Sequence, residues 1–309
     1  MSRSVLVSGA TGKQGRALIN ALLEESNDFR ILALTRNTSS DSAQHLAAKS
    51  ARITLLEGDL NDTTAIFEKA LVTESSVWGV FSVQALQTGS HGPAVEEQQG
   101  KSLIDDAIKF GVRHFVYTSA DRGGEKSQDN PTKVPHFISK HNIEQHLIRR
   151  AAAAGGTDMT WTILRPVAFM DNFDGGFFGK VMATAWRDVV KTRPLQLVAT
   201  EDIGVIASQA FTQPGAFAQR AISLAGDELS FSEMAKVYGD VMGDDQPSVP
   251  TTFSFVIRAL FWFSDELGEM FKFFEKEGFG ADLQDAKKLN PKTKDFRAWL
   301  QANGKPRSG

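Results

Sequence analysis

The chain has 309 residues, 34 of them Lys or Arg and 37 Asp or Glu, for a formal net charge of -3. That balance argues against a nucleic-acid polyanion as a direct ligand, and the lack of cysteine excludes disulfides, thiolate catalysis, Cys-ligated zinc and a thiol redox switch. The length and the 41% hydrophobic fraction suit one large α/β domain, or a large domain with a smaller one attached, around a substantial core.

Two hydrophobic patterns alternate from the start. Apolar, β-branched runs at 4–8, 30–35, 52–57, 77–83, 112–118 and 159–164 predict strands. Helical spacing lies between them, as in Ala17, Leu18, Ala21 and Leu22, or Leu103, Ile104, Ala107 and Ile108. Such repetition implies parallel pairing through right-handed crossovers, and continuous apolar strands imply burial on both faces. The expected fold is a Rossmann-like doubly wound parallel α/β sheet over 1–165, followed by a smaller, mainly helical C-terminal subdomain over 166–309, some of whose strands can return to the main sheet. A strand within four residues of the start predicts no cleavable leader. With no charge-free apolar stretch of about 18 residues, no membrane span is expected, and a cytoplasmic or nuclear location follows.

The polar, glycine- and proline-containing segment 121–135 reads as a mobile surface loop at a strand's carboxyl end. Beyond Arg165-Pro166 the alternation weakens. Thr200 reads as a helix cap, 220–225 as a strand, and Ser230 or Ser232 as the cap of a further helix. Residues 167–186 and 251–276 are rich in aromatics, which suits a helical core, the wall of an apolar pocket or a partner-binding face.

The first strand runs into Gly9-Ala10-Thr11-Gly12-Lys13-Gln14-Gly15 and then a helix. Gly9 permits the tight turn, Gly12 lets backbone approach a pyrophosphate, and Gly15 lets the helix sit close to the strand. The spacing differs from G-x-G-x-x-G, but the strand–turn–helix context makes a nucleotide the first ligand to consider. The second strand ends in Thr35-Arg36-Asn37, where an NAD site usually carries an acid. A guanidinium there pairs with a 2′-phosphate, so NADP(H) is the expected cofactor. Gly58-Asp59-Leu60-Asn61 follows the third strand; Asp59 lies where an adenine edge rests, and Asp59 or Asn61 also fits a helix cap.

Together with Tyr117-Thr118-Ser119, His136-Phe137-x-x-Lys140 and Arg165-Pro166-x-x-Phe169-x-x-Asn172, these motifs resemble the NmrA-like family, atypical members of the short-chain dehydrogenase/reductase group. The resemblance runs over roughly 3–245. It implies that Thr11, Lys13, Gln14 and Arg36 hold the phosphates, that Lys140 holds the nicotinamide ribose, and that Leu60, Gln84 and Phe169 lie beside the cofactor. It also implies one of two activities: a regulator that senses NADP redox state through a protein partner, or an NADPH-dependent reductase of an apolar quinone, carbonyl or conjugated substrate.

The wider group uses Tyr-x-x-x-Lys with an upstream serine. This chain has only two tyrosines, Tyr117 and Tyr238, and neither precedes a lysine by four. His136 holds the tyrosine's place, so the candidate catalytic set is His136, Ser119 and Lys140, with imidazole as the acid or base. The competing role for His136 is to cap a helix or line a cleft without proton transfer. His136, His141 and His146 fall about 140° apart on a helix, which excludes one metal face. The absent tyrosine favours the sensor over the reductase.

Overall fold

The computed structural model describes residues 3–85, 91–153, 159–174, 176–243, 247 and 265–304. The elements in order are β1 (Arg3–Val7), α1 (Lys13–Glu25), β2 (Phe29–Thr35), α2 (Asp41–Ala47), β3 (Ile53–Glu57), α3 (Thr63–Thr73), β4 (Gly79–Ser82), α4 (Gly92–Lys109), β5 (His114–Thr118), α5 (Pro135–Ala153) and β6 (Thr160–Pro166). After these come β7 (Ala168–Phe169), α6 (Phe177–Ala185), β8 (Leu195–Val198), α7 (Thr200–Thr212), α8 (Pro214–Phe217), β9 (Arg220–Leu224), β10 (Asp227–Leu229) and α9 (Phe231–Met242). Helices Asp265–Lys276, Leu283–Leu289 and Phe296–Asn303 complete the described chain.

All six expected strands form. They lie in a seven-stranded sheet of order β3-β2-β1-β4-β5-β6-β9, and β1 to β6 pair in parallel. The order reverses between β1 and β4, the place where a doubly wound sheet opens a ligand crevice. The architecture is thus Rossmann-like, with a helical C-terminal region.

The chain divides into two units, each assembled from separate segments. The first comprises Met1–Ser119, Ser139–Arg165 and Ile203–Ile222; the second comprises Ala120–Ile138, Pro166–Asp202 and Ser223–Gly309. The chain therefore changes unit several times, where composition suggests a single division at 165.

In the first unit, Leu6, Leu32, Val80, Phe115 and Ile163 project from adjacent strands into one buried cluster. Ile66 and Phe67 of α3, Leu103 and Ile104 of α4, and Ile143 and Leu147 of α5 close over it. Each such side chain contributes about 1.5–3 kcal/mol by leaving water. Elsewhere in this unit, Phe211 of α7 meets Trp78 and His114 edge-on, and Gly204 packs on Ala17 of α1 so closely that a Cβ would fall 2.4 Å from its backbone. Arg165 of β6 forms a buried pair with Glu144 of α5, at 2.6 Å from Nη2 to Oε2, so this motif arginine ties a helix to the sheet.

The second unit holds a three-stranded sheet, β10-β8-β7, antiparallel between β10 and β8 and parallel between β7 and β8. Its core joins Phe173, Trp186, Leu195, Met234, Tyr238, Phe271, Phe273, Phe274, Phe296 and Trp299. The aromatics of 265–276 that face inward are therefore packing residues, whereas Phe177 and Phe178 are exposed. Phe253, Phe255, Phe261, Trp262 and Phe263 lie outside the described residues.

Segment 121–135 departs from the expected mobile surface loop. It contains a 3-10 turn, Gly124–Gln128, and both Asp121 and Arg122 are fully buried. The Asp121 carboxylate accepts from the backbone N–H groups of Gly123, Gly124 and Gly280 and from Ser223 Oγ. The Arg122 guanidinium donates to the carbonyls of Ala120, Ser127 and Asn130. Thr200 also differs from expectation: it is the first helical residue, and its hydroxyl donates to Asp171 Oδ1 rather than capping α7. Ser230 caps α9, in a reciprocal box with Glu233. Among the described residues no helix is long and apolar enough to cross a membrane.

Candidate functional site

The site is built on the turn between β1 and α1. Gly9 has φ +57°, a conformation that costs glycine little, and its carbonyl accepts from Gly12 N at 2.9 Å. Gly12 caps α1 without a side chain, and no acidic residue occupies the first turn. The N–H groups that open a helix have no partner within it, and they carry the positive end of its dipole. Arg16 N makes the first bond back into the helix, to Gly12 O at 3.0 Å. A Cβ on Gly15 would lie 2.3 Å from Gly9 O and 2.8 Å from Ala10 Cα. Gly15 therefore serves the approach of the helix to the turn that follows β1, rather than to the strand itself as its spacing suggests. Lys13 is exposed at the first helical position. Gln14 is anchored by Thr118, whose Oγ1 donates to Gln14 Oε1 at 2.6 Å.

A cleft of about 460 Å³ opens beside this turn, entirely within the first unit. The turn supplies Gly9, Thr11 and Gly12, the end of β2 supplies Leu34 and Thr35, and Arg36 and Asn37 follow directly after it. The turn after β3 contributes Gly58 to Asn61, with Val83 and Ala85 after β4 and Val95 and Gln99 from α4. Arg36 is exposed and has no acidic or hydrogen-bonding partner among the described residues. A cation so placed is free to meet an anion. Asp59 Oδ1 accepts from Asn61 N at 2.8 Å, which folds the turn. The cap of α3 is Asp62, accepting from Ala65 N at 3.1 Å, and neither Asp59 nor Asn61 takes that role.

Gln84 lies just past β4 between the cleft-lining Val83 and Ala85 and is not itself among the residues that line the cleft. Its Nε2 donates to Ser82 Oγ at 2.9 Å, while its buried Oε1 has no partner among the described residues. Ser119 is buried just past β5, its N–H bonded to Leu164 O at 2.7 Å. Lys140 Nζ is 2.7 Å from Glu96 Oε1 of α4, and Ser139 Oγ donates to Glu96 Oε2 at 2.8 Å.

His136 and Phe169 belong to the second unit. His136 lies on the first turn of α5, its Nδ1 2.9 Å from Glu266 Oε1 and its ring against Phe137. Phe169 is half-buried at the end of β7, paired in register with Val198. Both tyrosines are buried in core clusters, Tyr117 in the first unit and Tyr238 in the second. Neither phenol stands at the cleft.

One cleft thus gathers Gly9, Thr11, Gly12, Arg36, Asp59 and Leu60, with Lys13, Gln14 and Gly15 on the helix that opens beside it. Sequence reading missed Glu96, Gln99 and Glu266. The first two sit a turn apart on α4, but only the apolar spacing of that helix is conspicuous, and polar positions on a helix look alike until a partner is placed.

A family model described as the NmrA-like family matches residues 1–300. An oxidoreductase of Penicillium ochrochloron, the NmrA-like family domain-containing protein ptmS, is 26% identical over 337 residues, covering 96% of each chain. The triphenylmethane reductase of Citrobacter sp., solved with NADP(H), aligns with a TM-score of 0.72 at 18% identity, over 98% of this chain and 100% of that one. Nmra, a negative transcriptional regulator solved with NAD, aligns with a TM-score of 0.70 at 18% identity, over 97% and 94%.

Proposed function

The chain belongs to the NmrA-like family, and on that premise we propose that its cleft binds NADP(H) and that the protein is a dinucleotide-responsive regulator lacking tyrosine-dependent carbonyl chemistry. The observation that carries the cofactor reading is Arg36, an exposed cation without a counter-charge among the described residues, in the same cleft as the glycine turn. The turn and the first N–H groups of α1 suit the pyrophosphate, and Arg36 suits a 2′-phosphate. When bound, the nicotinamide supplies hydride-transfer capacity.

Burial of both tyrosines supports the regulatory reading, because no phenol is exposed to protonate a substrate carbonyl. The reductase reading also has specific support, since ptmS and other similar curated proteins are named oxidoreductases. In that case the enzyme reduces an apolar quinone, carbonyl or conjugated acceptor, with His136, Ser119 and Lys140 as the candidate groups.

Calorimetric titration with NADP⁺, NADPH, NAD⁺ and NADH tests both. The expected result is a preference for the phosphorylated pair that Arg36→Glu abolishes while NAD⁺ affinity changes little. Equal loss for both cofactors overturns the 2′-phosphate role. A regulator that senses redox state must bind one redox form about tenfold better, ~1.4 kcal/mol, since a ligand shifts an equilibrium only by differential affinity. Near-equal affinities, together with NADPH consumption by a quinone acceptor, replace the regulator with the reductase.

A further inference from the structure

The Asp265–Lys276 helix touches the start of α5 twice, through residues two turns apart on one of its faces. Glu266 Oε1 lies 2.9 Å from His136 Nδ1. Phe273 meets Phe137 edge-on, with ring centroids 5.4 Å apart at 90°. Both phenylalanines are buried, so the apolar contact seats the helix and brings the carboxylate to the imidazole. All four residues belong to the second unit.

The chemistry of the pair fixes a proton. An ionised carboxylate can only accept. A nitrogen lone pair at 2.9 Å would be repelled by it, so Nδ1 carries hydrogen whether the ring is neutral or charged. The approach is short but off the N–H axis, closer to an ion pair than to a linear hydrogen bond. With Nδ1 committed, Nε2 is the nitrogen through which the ring exchanges its second proton. Charge is balanced from the same side. The first turn of α5 has no acidic residue, and the positive end of a helix dipole opposes an imidazolium there. Glu266 supplies the counter-charge from another helix.

The His136 and Glu266 side chains are 14% and 24% exposed, whereas Tyr117 and Tyr238 are sealed at 0% and 1%. A group that protonates a substrate must be reachable, which the imidazole is and the phenols are not. His136 also stands one turn before Lys140 on α5.

We propose that Glu266 is a positioning residue for His136, holding the ring in its Nδ1–H form so that Nε2 delivers the proton when an apolar carbonyl is reduced. The inference rests on the reductase reading. In the balanced step, the acceptor carbon takes a hydride from the reduced nicotinamide and the C=O π pair passes to oxygen. That oxygen takes the Nε2 proton of the imidazolium. An alcohol, the oxidised nicotinamide and a neutral imidazole remain, and the ring recovers its proton from solvent. Glu266 stays ionised throughout.

The test reads the ring and the turnover separately, on the full chain as wild type, Glu266→Leu and Glu266→Asp. Glu266 is partly exposed, so neither variant disturbs a sealed core. Nitrogen NMR of the neutral His136 ring is expected to show Nδ1–H in wild type and Glu266→Asp, and Nε2–H in Glu266→Leu. NADPH oxidation with a panel of apolar aldehydes and ketones is expected to lose about tenfold or more in kcat in Glu266→Leu, with KM for NADPH within about twofold. Glu266→Asp, which keeps the carboxylate, is expected to recover most of that loss. An Nε2–H ring in wild type, or equal turnover in wild type and Glu266→Leu, overturns the positioning role and leaves the reductase reading standing. No NADPH oxidation by wild type with any acceptor of the panel overturns the carbonyl-reductase reading and this inference with it.

Discussion

Glu96 Oε1 and Lys140 Nζ lie 2.7 Å apart, yet the two ends of the pair differ in their access to water: the glutamate side chain is 2% exposed and the lysine 15%. The lysine expected to hold a ribose thus already has a carboxylate partner, on the helix that also lines the cleft through Val95 and Gln99. Any ribose contact by Lys140 must be made with this ion pair in place or by exchanging it.

The asymmetry predicts unequal mutational costs. Lys140→Met strands a sealed carboxylate with only Ser139 to bond it, a loss on the order of 3–5 kcal/mol. Glu96→Gln leaves an ammonium that can turn toward water, at about 1–2 kcal/mol. Urea denaturation of both variants checks this. Equal losses would mean that the glutamate is not sealed as the structure places it.

The glycine turn predicts a separation of packing from ligand approach. Gly15→Ala places a methyl 2.3 Å from Gly9 O. Better helix propensity returns about 1 kcal/mol, but overpacking against backbone costs about 1–3 kcal/mol, so the variant should be destabilised and bind NADP⁺ poorly. Gly12→Ala meets Gly9 O at 3.1 Å. It should fold nearly as well as wild type and still bind NADP⁺ at least about tenfold more weakly, because the methyl stands where phosphate approaches. Thermal unfolding with calorimetry on both variants decides; Gly15→Ala as stable as wild type would refute the packing role.

The parts legible in sequence were those with a local signature. Strands β1 to β6, the Gly9–Gly15 turn and Arg36 at the end of β2 each follow from residues within one strand–turn–helix unit. Partners distant in sequence left no such mark. Asp121 looks like a loop acid until Gly280 and Ser223 are brought to it. Glu96 looks like any helical glutamate until Lys140 arrives from 44 positions away. Arg165, part of the motif that carries the family resemblance, holds Glu144 and therefore marks the fold rather than the cleft. The cap of α3 fell to Asp62 because neighbouring polar residues compete for one position, and only the turn closed by Asp59 chooses among them.

His114 makes stability depend on pH in the first unit. It is fully buried between Thr160 Oγ1 and Thr162 Oγ1, at 2.7 and 3.2 Å, and burial lowers its pKa from 6.5 to about 4. The neutral ring is the folded form. As pH falls below 6.5 the unfolded chain takes up this proton first, so stability present above 6.5 is lost progressively toward 4, by about 3 kcal/mol in all. Denaturation of wild type and His114→Gln at a series of pH values should show a shallower acid decline in the variant. Parallel declines would exclude His114 as the source.

Asp202 acts in the opposite direction within the second unit. Its carboxylate accepts from Asn290 Nδ2 and Lys294 N, both at 2.9 Å. Burial raises its pKa from 3.8 to about 6, against the hydrogen bond and charge of Lys294 that pull it down. A raised carboxyl contributes stability that is full below 3.8 and is lost as pH rises through 6, on the order of 3 kcal/mol once ionisation is complete. Asp202→Asn cannot ionise and keeps one carbonyl oxygen to accept with. Its stability relative to wild type should therefore climb between about pH 4 and pH 7, while that of His114→Gln relative to wild type falls over much of the same interval. Urea midpoints for the three proteins at about pH 4, 5, 6 and 7 test the pair together. A stability difference between wild type and Asp202→Asn that is flat with pH would show that Asp202 stays ionised throughout, and that Asn290 and Lys294 outweigh its burial.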